Sequence, residues 1–124
     1  MGVLYLSDQA HSSNVKAIRI LGFRKDQIRI IPTDAEFKFA LNKLKNAIAK
    51  DRLEGLHPFC LIATAGTTNT GTVDPLSELA KICKTEDIWF HIDGAYGAVS
   101  ACVPSISEQL SGIGLADSIA MDAH

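Results

Sequence analysis

The sequence predicts an α/β fold: a mostly parallel sheet with helices on both faces. Three observations predict it. Apolar, β-rich runs alternate with helical patterns along all 124 residues, the signature of repeated strand–helix–strand units. The run Phe59–Ala63 is apolar at every position, as a strand covered on both faces must be. Polar and small residues gather just after the strand candidates, at Ser7–His11, Thr64–Thr72, Asp93–Tyr96 and Asp122–His124. Ligands sit outside the carboxyl ends of the strands in sheets of this kind.

Each element has its own reason. Val3–Leu6 is a short strand. Ser12, Ser13 and Asn14 offer N-cap side chains, Val15, Ile18 and Leu21 recur at helical spacing, and Gly22 stops the helix. Ile28–Ile31 is a second strand, ended by Pro32. Thr33 and Glu36 have the spacing of a capping box. That predicts a long helix from this point, with Phe37, Leu41, Leu44, Ile48 and Leu53 on one face and Gly55 as its close. After the third strand, Thr64–Thr72 is a loop of small and hydroxyl residues. Asp74-Pro75 starts a third helix, with Leu76, Leu79, Ala80, Ile82 and Cys83 facing inward. Ile88–Asp93 is the fourth strand, Gly94–Pro104 a loop, Ile106–Leu110 a short helix and Asp117–Met121 a fifth strand. No repeat, low-complexity tract or linker divides the chain, so residues 1–124 read as one unit without a second domain.

Composition narrows the function. The chain is 47% hydrophobic and 21% charged, and 12 basic against 14 acidic side chains give a net charge of −2. That excludes disorder and nucleic-acid binding through bulk charge. No apolar run approaches the ~20 residues of a membrane span. Three cysteines, Cys60, Cys83 and Cys102, include no CxxC pair. They read as buried, reduced thiols of a cytoplasmic protein rather than a disulfide framework or zinc ribbon. No leader with a charged then an apolar region precedes the first strand, and both ends are expected to be cut from something longer. The four histidines, at 11, 57, 91 and 124, lack i,i+4 metal spacing. Phosphate-loop, dinucleotide and nucleophile-elbow motifs are all missing.

Three places carry candidate chemistry. Asp93 ends a strand beside Gly94 and Ala95, where a carboxylate meets either a cationic ligand group or the backbone amides of its own turn. Asp93 and Ala95 lie two apart and face the same side if the chain is extended. Thr67 and Thr68 lie in a glycine-flanked loop suited either to an anion or to closing a turn with their hydroxyls. His11 stands at a strand-to-helix junction, where an imidazole stacks on an aromatic ligand, moves protons, or simply caps the helix. His57 reads as a surface residue and His91 as a structural one.

Together these segments resemble the group II pyridoxal-phosphate-dependent decarboxylases, most closely the aromatic amino acid decarboxylase branch. The resemblance runs through Ser7-Asp8-Gln9-Ala10-His11-Ser12-Ser13, Ala63-Thr64-Ala65-Gly66-Thr67-Thr68, Val73-Asp74-Pro75-Leu76, Trp89-Phe90-His91-Ile92-Asp93-Gly94-Ala95-Tyr96, Ala116-Asp117-Ser118 and Asp122-Ala123-His124. It implies part of the large domain of the fold type I pyridoxal-phosphate enzymes, and pyridoxal 5'-phosphate as cofactor. It implies a small-molecule amino acid substrate that loses its α-carboxylate as CO₂, and a homodimeric parent. Asp93 then matches the carboxylate that pairs with the protonated ring nitrogen, and His11 the imidazole stacked over the ring. Ala95 matches the small residue against the opposite face, and Thr68, together with Thr67, the hydroxyl near cofactor and substrate carboxylate. Asp122 and His124 match the positions beside the phosphate; many relatives carry Asn where Asp122 stands, and an acid there repels phosphate. The Schiff-base lysine of the family follows the position of His124, so residues 1–124 alone are expected to be inactive. The alternatives are another enzyme of the same fold, of aminotransferase or sulfur-transfer type, or a non-catalytic α/β binding module.

Overall fold

A computed structural model describes residues 1–123. Its strands are β1 (Gly2–Ser7), β2 (Ile28–Ile31), β3 (His57–Thr64), β4 (Trp89–Asp93) and β5 (Ser118–Ala120). They form one sheet in the order β2-β1-β3-β4-β5, with every pairing parallel. The helices α1 (Ser12–Ile20), α2 (Leu41–Leu53), α3 (Leu76–Glu86) and α4 (Pro104–Ser107) fill the connections. The α/β class and the five strands follow the pattern of the sequence.

Alternation along β1 separates two cores. Val3 and Tyr5 point to one face, where Leu61, Ala63, Phe90 and Ile92 meet Leu44 and Ile48 of α2 and Leu76 and Leu79 of α3. Leu4 and Leu6 point to the other, where Ile62 meets Ile18 and Val15 of α1. The chain therefore leaves β1 on one face and β3, its neighbour, on the opposite face.

The second helix starts later than its capping box predicts. Asp34 Oδ1 accepts the backbone N–H groups of Glu36 (2.8 Å) and Lys38 (3.0 Å). Thr33 bridges to Phe39 across the resulting turn. A short carboxylate that bonds its own backbone competes with helix formation, and here it wins. Phe37 is left at φ 59° and 49% exposed, and Phe39 takes the core position at 1%. The helix begins at Leu41, and Leu53, expected on its inner face, is 90% exposed. Among the cysteines Cys83 is buried and Cys60 half-buried, whereas Cys102 is exposed. It ends the 3-10 turn Ala98–Cys102 on the surface of the β4–β5 connection.

Two buried carboxylates tie the elements together. Asp51 of α2 accepts the Tyr5 hydroxyl (2.7 Å) and two nitrogens of the Arg29 guanidinium (the closest at 2.6 Å), so β1, β2 and α2 share one anion. Burial and the Asp51 contact push the Tyr5 hydroxyl far above its ordinary range. Asp74, which precedes Pro75 and the start of α3, accepts the N–H of Phe39 (2.9 Å) on one oxygen and that of Thr64 (2.8 Å) on the other. It joins the turn before α2 to the end of β3, and is 3% exposed.

The two N–H donors favour the Asp74 anion, but loss of water outweighs them and pushes its pKa from 3.8 up to about 6. Between those values the folded protein holds the extra proton, so stability falls as pH rises from about 4 to about 6 and is level above. Urea midpoints across this range should show that slope in the wild type but not in Asp74→Asn. Below about pH 4, where Asp74 is neutral too, the variant, whose amide leaves one N–H unaccepted, should be less stable than the wild type by about 1–3 kcal/mol. Equal slopes in the two proteins would refute the assignment.

Candidate functional site

A pocket of about 320 Å³ lies at the carboxyl ends of the strands. Its lining comes from four chain segments: His11 and Ser13 after β1; Thr64, Gly66 and Thr68 from β3 and its loop; Asp93, Ala95 and Tyr96 from β4 and its turn; and Asp122 after β5. It sits where the connections diverge between β1 and β3, the switch point at which open parallel sheets leave a crevice. A larger hollow of about 650 Å³ lies at the other end of the sheet, around Trp89 and Asp117.

Asp93 is the last residue of β4 and pairs in register with Thr64 of β3. Its Oδ1 accepts the Ala95 N–H (3.2 Å), and its Oδ2 accepts Nδ2 of Asn14, in the first turn of α1, at 2.7 Å. Ala95 is in a turn, not in extended chain, yet it still lines the pocket. Asp93 thus caps its own turn and faces the pocket as well. No ion pair among the described residues uses it.

His11 is the N-cap of α1. Its Nδ1 lies 2.7 Å from Ser13 Oγ and accepts the Ser13 N–H at 3.4 Å. An amide N–H can only donate, so Nδ1 is the unprotonated nitrogen and Nε2 carries the proton. His11 acts as a cap and also stands exposed on the pocket wall.

The loop after β3 divides its threonines. Thr67 is 2% exposed and spends its hydroxyl on Thr70 Oγ1 at 2.7 Å, closing the turn. Thr68 is exposed and lines the pocket. Gly66 has φ +88°, a conformation natural to glycine. Across from it, a Cβ on Gly97 would stand 2.1 Å from the Ala65 carbonyl oxygen. That close contact holds the β3 loop against the β4 turn. Thr64 Oγ1 is buried on this lining and has no hydrogen-bond partner among the described residues.

Of the residues expected at a site, the structure brings together His11, Thr68, Asp93, Ala95 and Asp122. His124 lies outside the described residues. His57 is exposed at the start of β3. His91 lies 2.8 Å from Ser118 Oγ, and burial holds its pKa below the ordinary value against the pull of Asp93. Asn14, Ser13, Thr64 and Tyr96 were not read as site residues. Ser13 and Asn14 look like capping residues, while Thr64 and Tyr96 lie in the polar segments Thr64–Thr72 and Asp93–Tyr96 without a signal that singles them out. Among the described residues no group of three acidic, histidine or cysteine side chains could hold a metal ion. No helix is long and apolar enough to cross a membrane.

Comparison with known proteins agrees with this geometry. Residues 2–124 match the family described as the pyridoxal-dependent decarboxylase conserved domain. An aromatic-L-amino-acid decarboxylase of Bacillus atrophaeus is 48% identical over 98% of this chain, which spans 25% of that protein. The crystal structure of the Rhodiola rosea 4-hydroxyphenylacetaldehyde synthase superposes with a TM-score of 0.93 at 44% identity, over 98% of this chain and 27% of that one. That of Oryza sativa TDC with PLP does so with a TM-score of 0.89 at 38% identity, over 97% and 26%. The chain therefore spans about a quarter of the length of the relatives it matches.

The Gly97 contact can be tested directly. Gly97→Ala should part the two loops and lower stability by about 1–3 kcal/mol, the cost of overpacking a tight contact. Gly114→Ala, where an added Cβ meets nothing within 4 Å, should leave the thermal midpoint unchanged. Equal midpoints for both variants would show that the loops do not depend on this contact.

Proposed function

The chain belongs to the pyridoxal-dependent decarboxylase family, and from that premise we propose that it forms the centre of the cofactor-binding domain of a carboxy-lyase. The proposed reaction removes the α-carboxylate of an aromatic L-amino acid as CO₂. One observation carries the reading: a strand-end carboxylate, Asp93, faces the switch-point pocket, and among the described residues its donors are neutral, the Asn14 amide and the Ala95 N–H.

The residues present fit pyridoxal phosphate. An anion bonded only by neutral groups suits a protonated ring nitrogen. Thr64 Oγ1, buried on the lining and unpartnered among the described residues, is available to a polar ligand atom. When bound, the cofactor supplies a ring that accepts the electron pair left at the α-carbon as CO₂ departs. The role of Asp93 is to keep a proton on the ring nitrogen, which maintains that capacity. His11, with its imidazole on the pocket wall, would cover one face of the ring, and the small side chain of Ala95 would let the other face approach closely. Thr68 offers its hydroxyl to the substrate carboxylate. Asp122 and His124 match the family positions beside the phosphate, and Asp122 would contribute no bond there because both groups are anionic. The lining holds two carboxylates and no lysine or arginine, so the donors that neutralise the phosphate lie outside it.

The aromatic substrate is supported by the relatives, an aromatic-L-amino-acid decarboxylase among them. The family resemblance supports a homodimer, and the three free cysteines support a reducing compartment such as the cytoplasm. The test uses the full-length polypeptide with pyridoxal phosphate and an aromatic amino acid. CO₂ release with the matching amine as product is expected, whereas the aldehyde as product would replace this reading with that of the synthase relatives. Asp93→Ala should weaken cofactor binding roughly 100-fold or more, because a paired charge is removed. Unchanged affinity would favour a binding module without this chemistry.

A further inference from the structure

Asn14 is spent in a way that its helix does not require. It occupies the third position of α1, where leucine or alanine has the higher helix propensity. Packing of α1 on the sheet is carried by Val15 and Ile18. The cap is supplied by His11, and the Asn14 N–H is already bonded to the His11 carbonyl at 3.0 Å. The side chain reaches instead across 79 positions of sequence to Asp93, at 2.7 Å.

We propose that Asn14 is a positioning residue for the ring-nitrogen contact: its amide holds Asp93 as an oriented anion and keeps the shared proton on the ligand ring. This rests on the reading of Asp93 as the partner of a protonated ring nitrogen. The chemistry follows from the donor inventory. An ionised carboxylate only accepts, so the amide must turn its NH₂ toward it. A donated hydrogen bond stabilises an ionised carboxylate more than the neutral acid, which favours the proton between Asp93 and the ring staying on the ring. Each oxygen is bonded once, Oδ1 by Ala95 and Oδ2 by Asn14, and each keeps a second lone pair for the ligand. The two donors come from β4's own turn and from α1, so the carboxylate cannot rotate without losing one of them.

The experiment uses full-length protein stripped of cofactor and reloaded with pyridoxal phosphate labelled with ¹⁵N in the ring. Two readouts are taken: the dissociation constant and the ring ¹⁵N chemical shift. Asn14→Leu, similar in size and a better helix former, should weaken binding roughly tenfold and move the ¹⁵N shift toward that of unprotonated pyridine. Asn14→Asp preserves the shape and suits a helix N-terminus, so it tests the proposal even if the leucine variant folds poorly. With two carboxylates in contact one must hold a proton, so both the affinity and the ¹⁵N shift should become pH-dependent in this variant. Asp93→Asn is the third variant. If it alters both readouts while neither Asn14 variant alters the ¹⁵N shift, Asn14 is a packing contact and the inference fails. If Asp93→Asn also leaves the shift unchanged, the ring-nitrogen reading itself fails and carries the inference with it.

Discussion

The pocket exists because two neighbouring strands send their chains to opposite faces of the sheet. From β1 the chain turns onto the face covered by α1, and from β3 onto the face covered by α3. Between the two exits a crevice is left beyond the strand ends. The parallel register then delivers side chains to it. Thr64 is level with Asp93, and Asp93 with Ala120, two residues before Asp122. Residues separated by 29 positions, as Thr64 and Asp93 are, become neighbours because the sheet places the ends of its strands side by side.

Three acidic side chains show how environment divides one chemistry into different tasks. Asp51 is enclosed with a cation and a phenol, and fastens α2 to two strands. Asp74 is enclosed with two backbone N–H groups and no cation, so its charge is costly to bury and its pKa rises to about 6. Asp93 also has two neutral donors, but its remaining lone pairs face a pocket. The first two hold together the frame on which the third is presented. Asp74 acts closest to the site, since it fixes the backbone of Thr64, whose hydroxyl lines the pocket.

Much of this was legible in the chain. Alternating strands and helices specified a parallel sheet, because apolar residues at period 2 and at helical spacing can be buried together in few other ways. The polar segments after the strands marked the ligand end, and His11, Thr68, Asp93, Ala95 and Asp122 all line the pocket. The error at the second helix was local: Thr33 and Glu36 have capping-box spacing, but Asp34 bonded the intervening backbone first. Pattern reading sees the spacing and not the competition between hydrogen bonds. Asp93 posed a choice between capping amides and facing a ligand; it caps the Ala95 N–H with one oxygen and also lines the pocket.

By itself, then, the sequence determined the class of fold, the end of the sheet that carries the site, and most of the residue types found there. These depend on periodicity and on short segments that keep their character wherever the chain leads them. Tertiary structure decided the pairings: Asn14 with Asp93, Asp74 with the backbone of Phe39 and Thr64, and Gly97 against Ala65. Each joins residues at least 10 positions apart. Hydrogen bonds and close contacts of that kind depend on distances of a few ångströms, which only the packed sheet and its helices set.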